Sequence, residues 1–451
     1  MQNLTEHDSL EAWLEYIAGI HVSAIDMGLE RVLPIIKKLG ISNNDLNDRP
    51  YIFTVAGTNG KGSTTATIAQ ICQCAGFRTA LYQSPHLISF TERIKIDGVA
   101  IDESDLVQAL VRVEQARLEC QLSLSFFEMT TLAAFLIFKE SNVDVWVLEI
   151  GLGGRLDVVN AIEPDLAVIT NIGIDHVDWL GDDIEKIGME KAGIIRKNIP
   201  VILGARDLPN SIFEVIEAND AKAYQIGKDY EFCEFCEFCE FCEFCEQSNA
   251  WQYSSQGITL NLPKPKLSLL NAVNAVSAVL ASDLPINENA IKEGLVKVTL
   301  AGRFDHRMIN GKRWLFDVAH NAHGMKFLLE QFVPYWQSHK NINPNAKLNV
   351  VFSMLGDKDI GAVLDLVQGE LDRGRLVIST WHIAAIDHVR AMPLDDILTL
   401  VHHHLKNPNA ITHDSLDLAV RGVMQKASEQ DLILVFGSFH TVGEVLTVLL
   451  G

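Results

Sequence analysis

The stretch Tyr51-Ile52-Phe53-Thr54-Val55-Ala56-Gly57-Thr58-Asn59-Gly60-Lys61-Gly62-Ser63 constrains this chain more than any other. An apolar, β-branched strand runs into a Gly-rich turn that carries one lysine and the hydroxyl cluster Ser63-Thr64-Thr65. A helical pattern follows through Ile68, Ile71 and Cys72. A turn of this kind presents backbone N–H groups and the positive end of a helix to a polyphosphate. Lys61 then reaches the terminal phosphates, and a hydroxyl joins a Mg²⁺ shell. Two departures from a standard Walker A are visible. Val55 stands where a glycine is usual, and Gly62 separates the lysine from the hydroxyl. The bland alternative is a generic Gly-rich turn, but the strand–turn–helix context favours a protein that uses ATP.

At 451 residues the chain exceeds one ordinary core, so two domains are expected. Hydrophobic residues make up 48% and charged residues 21%, as in a globular enzyme. No apolar run approaches the roughly 20 residues of a membrane span. The start Met1-Gln2-Asn3-Leu4 shows no secretory signal, which makes cytoplasm the default. A formal net charge of −21 argues against nucleic acid or an anionic membrane as partner. Anionic ligands must therefore be met by backbone amides, metal ions and a few placed cations.

Three of the eight cysteines, Cys72, Cys74 and Cys120, sit in helix-like patterns and read as small apolar residues. The others belong to five tandem Glu-Phe-Cys triplets from Glu231 to Cys245. Successive triplets rotate by about 300° on a helix, so no apolar stripe forms. On a strand, Phe and Cys each alternate between faces. The tract at 231–246 is expected to be an irregular surface insertion. Its Cys-x-x-Cys spacing leaves a metal or iron–sulfur reading as the alternative.

The first part of the chain alternates helix and strand. Helices are expected near Leu10–Ile17, Gly28–Leu39, Glu103–Glu119 and Glu128–Glu140, and strands near Arg78–Tyr82, Val143–Ile150 and Leu166–Thr170. Apolar strands separated by helices signify an α/β fold whose parallel sheet is covered on both faces. A second alternation follows a hinge at about Val298–Gly302. Its strands are expected at Trp314–Val318, Leu348–Phe352, Leu376–Thr380 and Leu432–Phe436. Its helices are placed near Gly324–Phe332, Ile360–Gln368, Leu394–His403, Leu416–Lys426 and Thr441–Leu449. The reading is a P-loop-type doubly wound domain over 1–299 and a smaller Rossmann-like α/β domain over 300–451, with the cleft between them the expected site.

Three polar clusters follow strands of the first domain: Ser84-Pro85-His86, Glu149 with Gly151-Leu152-Gly153-Gly154-Arg155-Leu156-Asp157, and Asp175-His176. Hydroxyl, carboxylate and imidazole at one sheet edge suit a Mg²⁺ ion that shares phosphate oxygens. Taken singly, each has an ordinary structural explanation.

Together with Gly57–Ser63, these segments resemble the dihydrofolate synthase/folylpolyglutamate synthase family of the Mur ligase superfamily. The likeness continues through Glu190-Lys191-Ala192-Gly193, Gly302-Arg303-Phe304, Asp317-Val318-Ala319-His320-Asn321 and Gly437-Ser438-Phe439-His440-Thr441. It covers nearly the whole chain in order, and only the Glu-Phe-Cys tract has no counterpart. The resemblance implies a ligase that phosphorylates a carboxylate with ATP and then lets the amine of L-glutamate attack the acyl phosphate. Dihydropteroate and reduced folates are the implied acids.

By resemblance, Thr58, Asn59, Gly60, Lys61, Gly62 and Ser63 bind the ATP phosphates. Ser84 and Glu149 hold one Mg²⁺ and His176 a second, and Lys191 carries a carbamate; Lys61, His176 and Lys191 are thus the implied catalytic set. Asn271 matches a nucleotide-contacting position, with Asn274 close enough to compete for it. Arg303 and Asp317 match nucleotide contacts from the second domain. His320, Ser438 and Arg93 are the implied glutamate contacts. Asp26-Met27-Gly28, Ser125-Phe126-Phe127-Glu128, Leu156 and Asp157 match the pteroate side, where Phe126 or Phe127 stacks on a ring. A core aromatic and a helix N-cap are the alternative readings there.

A monomer without nucleic-acid or membrane partners is implied. The rivals are an enzyme restricted to polyglutamylation and, more remotely, a phosphate-loop switch or binding module. A peptidoglycan-precursor ligase fits less well, because only about 50 residues precede the loop, short of a typical domain.

Overall fold

The computed structural model describes residues 4–21, 26–42, 49–234, 250–388 and 390–450. The chain divides into two compact units, one running to Ser84 and from Thr91 to Val298, the other combining Pro85–Phe90 with Thr299 onward. The short segment Pro85–Phe90 therefore groups with the second unit, which no division by chain order contains.

In the first unit the strands are β1 (Tyr51–Ala56), β2 (Thr79–Tyr82), β3 (Ile94–Ile96), β4 (Val99–Ala100), β5 (Val145–Glu149), β6 (Leu166–Ile169), β7 (Pro200–Leu203) and β8 (Lys222–Gln225). They form one sheet in the order β4-β3-β2-β5-β1-β6-β7-β8. The pairings from β2 through β8 are parallel, and β3 and β4 add an antiparallel edge. Strands β1, β5 and β6 are apolar almost throughout, since both their faces are covered. Phe53, Val55, Val147 and Val168 pack with Ile68 and Ile71 of the helix Lys61–Cys74 and with Val273 and Val276 of the helix Leu269–Ala281.

Register decides what this sheet can do. Val55 pairs with Glu149 on one side and with Val168 on the other, so β1, β5 and β6 end level. Tyr82 pairs with Leu148, which brings the turn after β2 to the same edge. Ligands of such sheets bind beyond this carboxyl edge.

Tyr230–Glu234, Ala250–Ser255 and Ile258–Pro263 (β9 to β11) form an antiparallel sheet of three strands. The first Glu-Phe-Cys triplet is thus regular structure, contrary to the expectation of an irregular insertion. Its Phe232 meets Trp251 edge-to-face with centroids 6.4 Å apart, and the gain from a partner strand and a buried tryptophan outweighs the poor repeat period. The rest of the tract lies outside the described residues.

The second unit has the sheet order β12-β13-β17-β14-β15-β16, with strands Asp305–Ile309, Lys312–Asp317, Leu348–Phe352, Ile378–Ala384, Ala410–His413 and Leu432–Phe436 in chain order from β12 to β17. Only β12 runs antiparallel to its neighbour. The helix expected to stop near Phe332 instead runs from Ala322 to Ile342 through Pro334. Burial of Val333, Trp336 and His339 offsets the hydrogen bond that the proline cannot make. The expected helix from Gly28 begins only at Val32, because Gly28 is tied through its N–H to Leu156 O at 3.2 Å.

Candidate functional site

The turn after β1 is built around Gly60, whose φ of 83° lies in the left-handed region. A Cβ at Gly60 would sit 2.3 Å from Asn271 Oδ1, so glycine is demanded by both conformation and space. The same contact settles which asparagine faces the loop. Asn271 borders Gly60, whereas Asn274 accepts a hydrogen bond from the Tyr230 hydroxyl at 3.1 Å within the core.

Residues from the end of β6 brace the loop. Asn59 N–H donates to Asn171 Oδ1 at 3.0 Å, and Asn171 Nδ2 returns to Asn59 O at 2.9 Å. Thr170 Oγ1 also donates to Asn59 O, at 2.7 Å. Thr58 Oγ1 bridges the backbone of Gly173, at 3.0 and 2.9 Å. Gln83, past β2, donates to Gly62 O at 2.8 Å. The loop is therefore braced by polar contacts from neighbouring strand ends, with the N-terminus of a helix of 14 residues following it. Thr170, Asn171 and Gln83 escaped the sequence reading, although their place just past a strand was a usable signal.

Lys61 Nζ donates to Gly57 O at 3.0 Å and to Thr58 O at 3.3 Å. Lys191, buried near the end of the helix Ile184–Ala192, donates to the same Gly57 oxygen at 3.0 Å. That helix approaches closely because Gly154 has no side chain: a Cβ there would lie 2.6 Å from Glu190 O and 3.0 Å from Lys191 Cα. Arg155 N–H to Glu190 O at 2.8 Å completes the seam.

Burial, and secondarily the Lys61 charge, lower the Lys191 amine to about 7, while Asp175 and Asp157 oppose the shift. Asp157 is raised to about 6 by burial, against N–H donation from Leu152 and Val159, each at 2.8 Å. A lysine with so low a proton affinity beside a second lysine is unusual outside functional sites.

Glu149 is buried at the end of β5. Arg93 faces it electrostatically, its guanidinium shifted down by burial while Tyr82 and Glu149 push the other way. Ser84 is half-buried, two residues beyond the Tyr82–Leu148 pair, so it leaves the sheet beside the β5 end. His176 is exposed, has a left-handed φ of 54° and precedes the short helix Val177–Leu180; its partner in the sequence motif, Asp175, is among the groups acting on Lys191. Among the described residues no three His, Cys, Asp or Glu side chains form a ready metal cage. Buried carboxylate and hydroxyl oxygens next to a phosphate loop suit a hard cation that also takes phosphate and water oxygens.

Among the residues that the resemblance assigns to pteroate, the structure gathers segments far apart in sequence. Gly28 N–H reaches Leu156 O, and Met27 Sδ lies 4.0 Å from the Cβ position of Gly153. The Phe127 ring covers Gly151, its Cζ 2.5 Å from that residue's Cβ position, and meets Tyr82 at 6.3 Å. Phe126 is half-buried at the first helical position. Ser125 and Glu128 form a capping box at the start of the helix Phe126–Glu140, so the N-cap alternative describes their local role. Glu128 also accepts from Arg31, which the sequence reading missed because its partner lies 97 residues away.

In the second unit Asp317, half-buried at the end of β13, accepts from Phe304 N–H and Ala319 N–H, both at 2.9 Å. Burial raises its carboxyl, with Arg303 acting in the opposite direction. The Arg303 guanidinium lies over the Phe439 ring at 4.9 Å. His320 Nδ1 pairs with Val318 O at 2.8 Å. Ser438 Oγ, past β17, contacts Thr441 Oγ1 at 2.8 Å and accepts Thr441 N–H at 3.0 Å. Asp317 pairs in register with Phe436, so these groups leave adjacent strands at one edge. Arg93 belongs to the first unit, whereas His320 and Ser438, its companions in the implied glutamate contacts, belong to the second.

Comparison with known proteins gives this geometry a family. Residues 55–282 match the Mur ligase middle domain, and residues 302–439 match the Mur ligase, glutamate ligase domain. The dihydrofolate synthase/folylpolyglutamate synthase of Escherichia coli strain K12 is 37% identical over 441 residues, covering 98% of this chain and 95% of that protein. A structure of E. coli FolC in complex with DHPP and ADP superposes with a TM-score of 0.85 at 36% identity, covering 99% of both chains. The bifunctional folylpolyglutamate synthase/dihydrofolate synthase of Yersinia pestis complexed with AMPPNP and Mn ion gives 0.84 at 35% identity, covering 100% of both. With end-to-end matches of this strength, the chain belongs to the dihydrofolate synthase/folylpolyglutamate synthase family of Mur ligases.

Proposed function

We infer that this chain is an ATP-dependent ligase that joins L-glutamate to 7,8-dihydropteroate, giving dihydrofolate, and extends folates with further glutamates. One observation carries the reading: a braced phosphate loop, with Lys61 and a buried Lys191 on a single carbonyl, lies in a chain aligned end to end with enzymes of that name.

A carboxylate resists amines because its oxygen leaves poorly. Transfer of the ATP γ-phosphoryl to that oxygen releases ADP and forms an acyl phosphate. The glutamate nitrogen then attacks the carbonyl carbon, the amine proton is lost, and the C–O bond to phosphate breaks. Both steps gather negative charge, so electrostatic stabilisation dominates catalysis.

The loop amides of Thr58 to Ser63 and the helix N-terminus receive the phosphates, and Lys61 exchanges its carbonyl contacts for phosphate oxygens. Ser84 and Glu149 would hold one Mg²⁺ and His176 a second, supplying charge neutralisation at the transferred phosphoryl group. Lys191, with proton affinity near 7, is appreciably neutral at physiological pH, the form that adds CO₂; its carbamate would turn a cation into an anion beside those metals. Asn271, Arg303 and Asp317 take the nucleotide, and His320, Ser438 and Arg93 the glutamate. Asp26 to Gly28, Phe126, Phe127, Leu156 and Asp157 shape the pteroate side, with Ser125 and Glu128 supporting them. The segment 1–299 is read as the ATP-binding part and 300–451 as the glutamate-ligase part. No described helix is long and apolar enough to cross a membrane. A cytoplasmic monomer is the working expectation, open to fractionation and light scattering.

The test is release of ADP and phosphate that depends on both glutamate and dihydropteroate, with mass spectrometry of products from dihydropteroate and from a reduced folate in separate reactions. Glu149→Gln should abolish turnover. ATP hydrolysis indifferent to both co-substrates would overturn the reading, and product from the reduced folate alone would leave the polyglutamylation-only enzyme.

A further inference from the structure

We propose that Arg31 is a positioning residue for the acid substrate: by bridging Asp26 and Glu128, it holds Met27 and Phe127 against the Gly151–Gly153 loop as two walls for the aromatic end of the pteroate. The proposal rests on the functional reading above and adds a residue that no sequence motif identified.

The geometry is specific. Arg31 Nη1 meets Asp26 Oδ2 at 2.7 Å, and Nη2 meets Glu128 Oε1 at 2.8 Å. Nη2 also reaches the backbone Asp26 O at 3.4 Å. The three side chains grade from solvent to core: Asp26 is 38% exposed, Arg31 23% and Glu128 4%. A planar guanidinium spans two acceptors in a fixed fork, which a lysine does not reproduce.

Glu128 divides its carboxylate between two duties. Oε2 accepts Ser125 N–H at 2.7 Å and closes the helix cap, while Oε1 is given to Arg31. The cap is therefore complete without the arginine. What Arg31 adds is a tether for residues 26–28, which otherwise touch the loop through Gly28 N–H on Leu156 O. His21 Nε2, at 3.1 Å from Asp26 Oδ2, shares that carboxylate. The tether sets the separation between Met27, against Gly153, and Phe127, over Gly151. Apolar, flat and small surfaces facing one glycine-rich loop are what a planar heterocycle packs against.

A misplaced wall weakens binding of the ring but leaves phosphoryl transfer intact, so the signature is a split between KM and kcat. Steady-state kinetics and equilibrium fluorescence titration with dihydropteroate are run on wild type, Arg31→Gln and Arg31→Lys. For Arg31→Gln, the dihydropteroate KM and Kd should rise about tenfold, with kcat and the KM values for ATP and glutamate changed less than about twofold. Arg31→Lys, which keeps a cation and reads the same split should the glutamine variant not fold, should fall between. Unchanged dihydropteroate binding in both variants overturns the proposal, as does a parallel loss of affinity for all three substrates. A wild-type enzyme that turns over no dihydropteroate removes the functional reading itself, a result distinguishable from either.

Discussion

Lys61 and Lys191 donate to one and the same backbone oxygen, that of Gly57, each from 3.0 Å. Two ammonium groups on one carbonyl repel, and the buried member yields. Its proton affinity falls to about 7, mainly through burial and then through Lys61. The repulsion between the two lysines is thus relieved by loss of a proton from Lys191, which leaves Lys61 as the cation on the loop.

That arrangement costs stability in a defined pH window. An unfolded lysine titrates near its ordinary 10.5, whereas folded Lys191 titrates near 7. Between those values the unfolded chain binds more protons, so stability rises with pH; below about 7 the full penalty is present. Lys191→Met should raise stability below pH 7, by on the order of a few kcal/mol, and flatten the rise from pH 7 to 10.5. Urea melts across pH in CO₂-free buffer check this, and a variant less stable than wild type at pH 6 would contradict it.

Gly60→Ala meets a left-handed backbone and the Asn271 amide at 2.3 Å. The loop must shift, and the N–H groups lose their aim. The kcat/KM for ATP from initial-rate kinetics should fall by about two orders of magnitude, since displacement of roughly 1 Å has effects of that size on rate.

Ser125→Ala separates scaffold from substrate contact. Loss of the capping-box acceptor should lower stability by about 1 kcal/mol. If Ser125 acts through the cap, the dihydropteroate KM stays within about twofold of wild type, because Glu128 keeps its bonds to Arg31 and to the backbone N–H of residue 125. A larger KM change would show direct contact.

Asp317→Asn keeps one carbonyl-type acceptor for the Phe304 and Ala319 N–H groups and removes the charge facing Arg303. The ATP KM should rise about tenfold while the glutamate KM holds, which initial-rate kinetics resolve.

Much of the site was legible before any coordinates. The strand-to-helix turn at Gly57–Ser63 is local grammar, Glu149 and Asp317 each close a strand, and Ser438 lies just past one. Leu348–Phe352, Leu432–Phe436 and Leu416–Lys426 have the bounds their periodicity predicts. Elements stabilised mainly by partners were harder: β3, β4, β7, β8, β10 to β12 and β16 escaped, and the helix through Pro334 was cut short.

Sequence alone singled out the short polar segments at strand ends and helix starts, because strand period, glycine turns and helix starts depend on neighbours along the chain. Tertiary structure decided what those segments meet. It set Asn271 rather than Asn274 against Gly60, brought Lys191 to Gly57 across 134 residues, and joined Arg31 to Glu128 across 97. Such contacts depend on the register of parallel strands and on close approach at side-chain-free positions. Both arise from packing the whole sheet, and no local pattern encodes them.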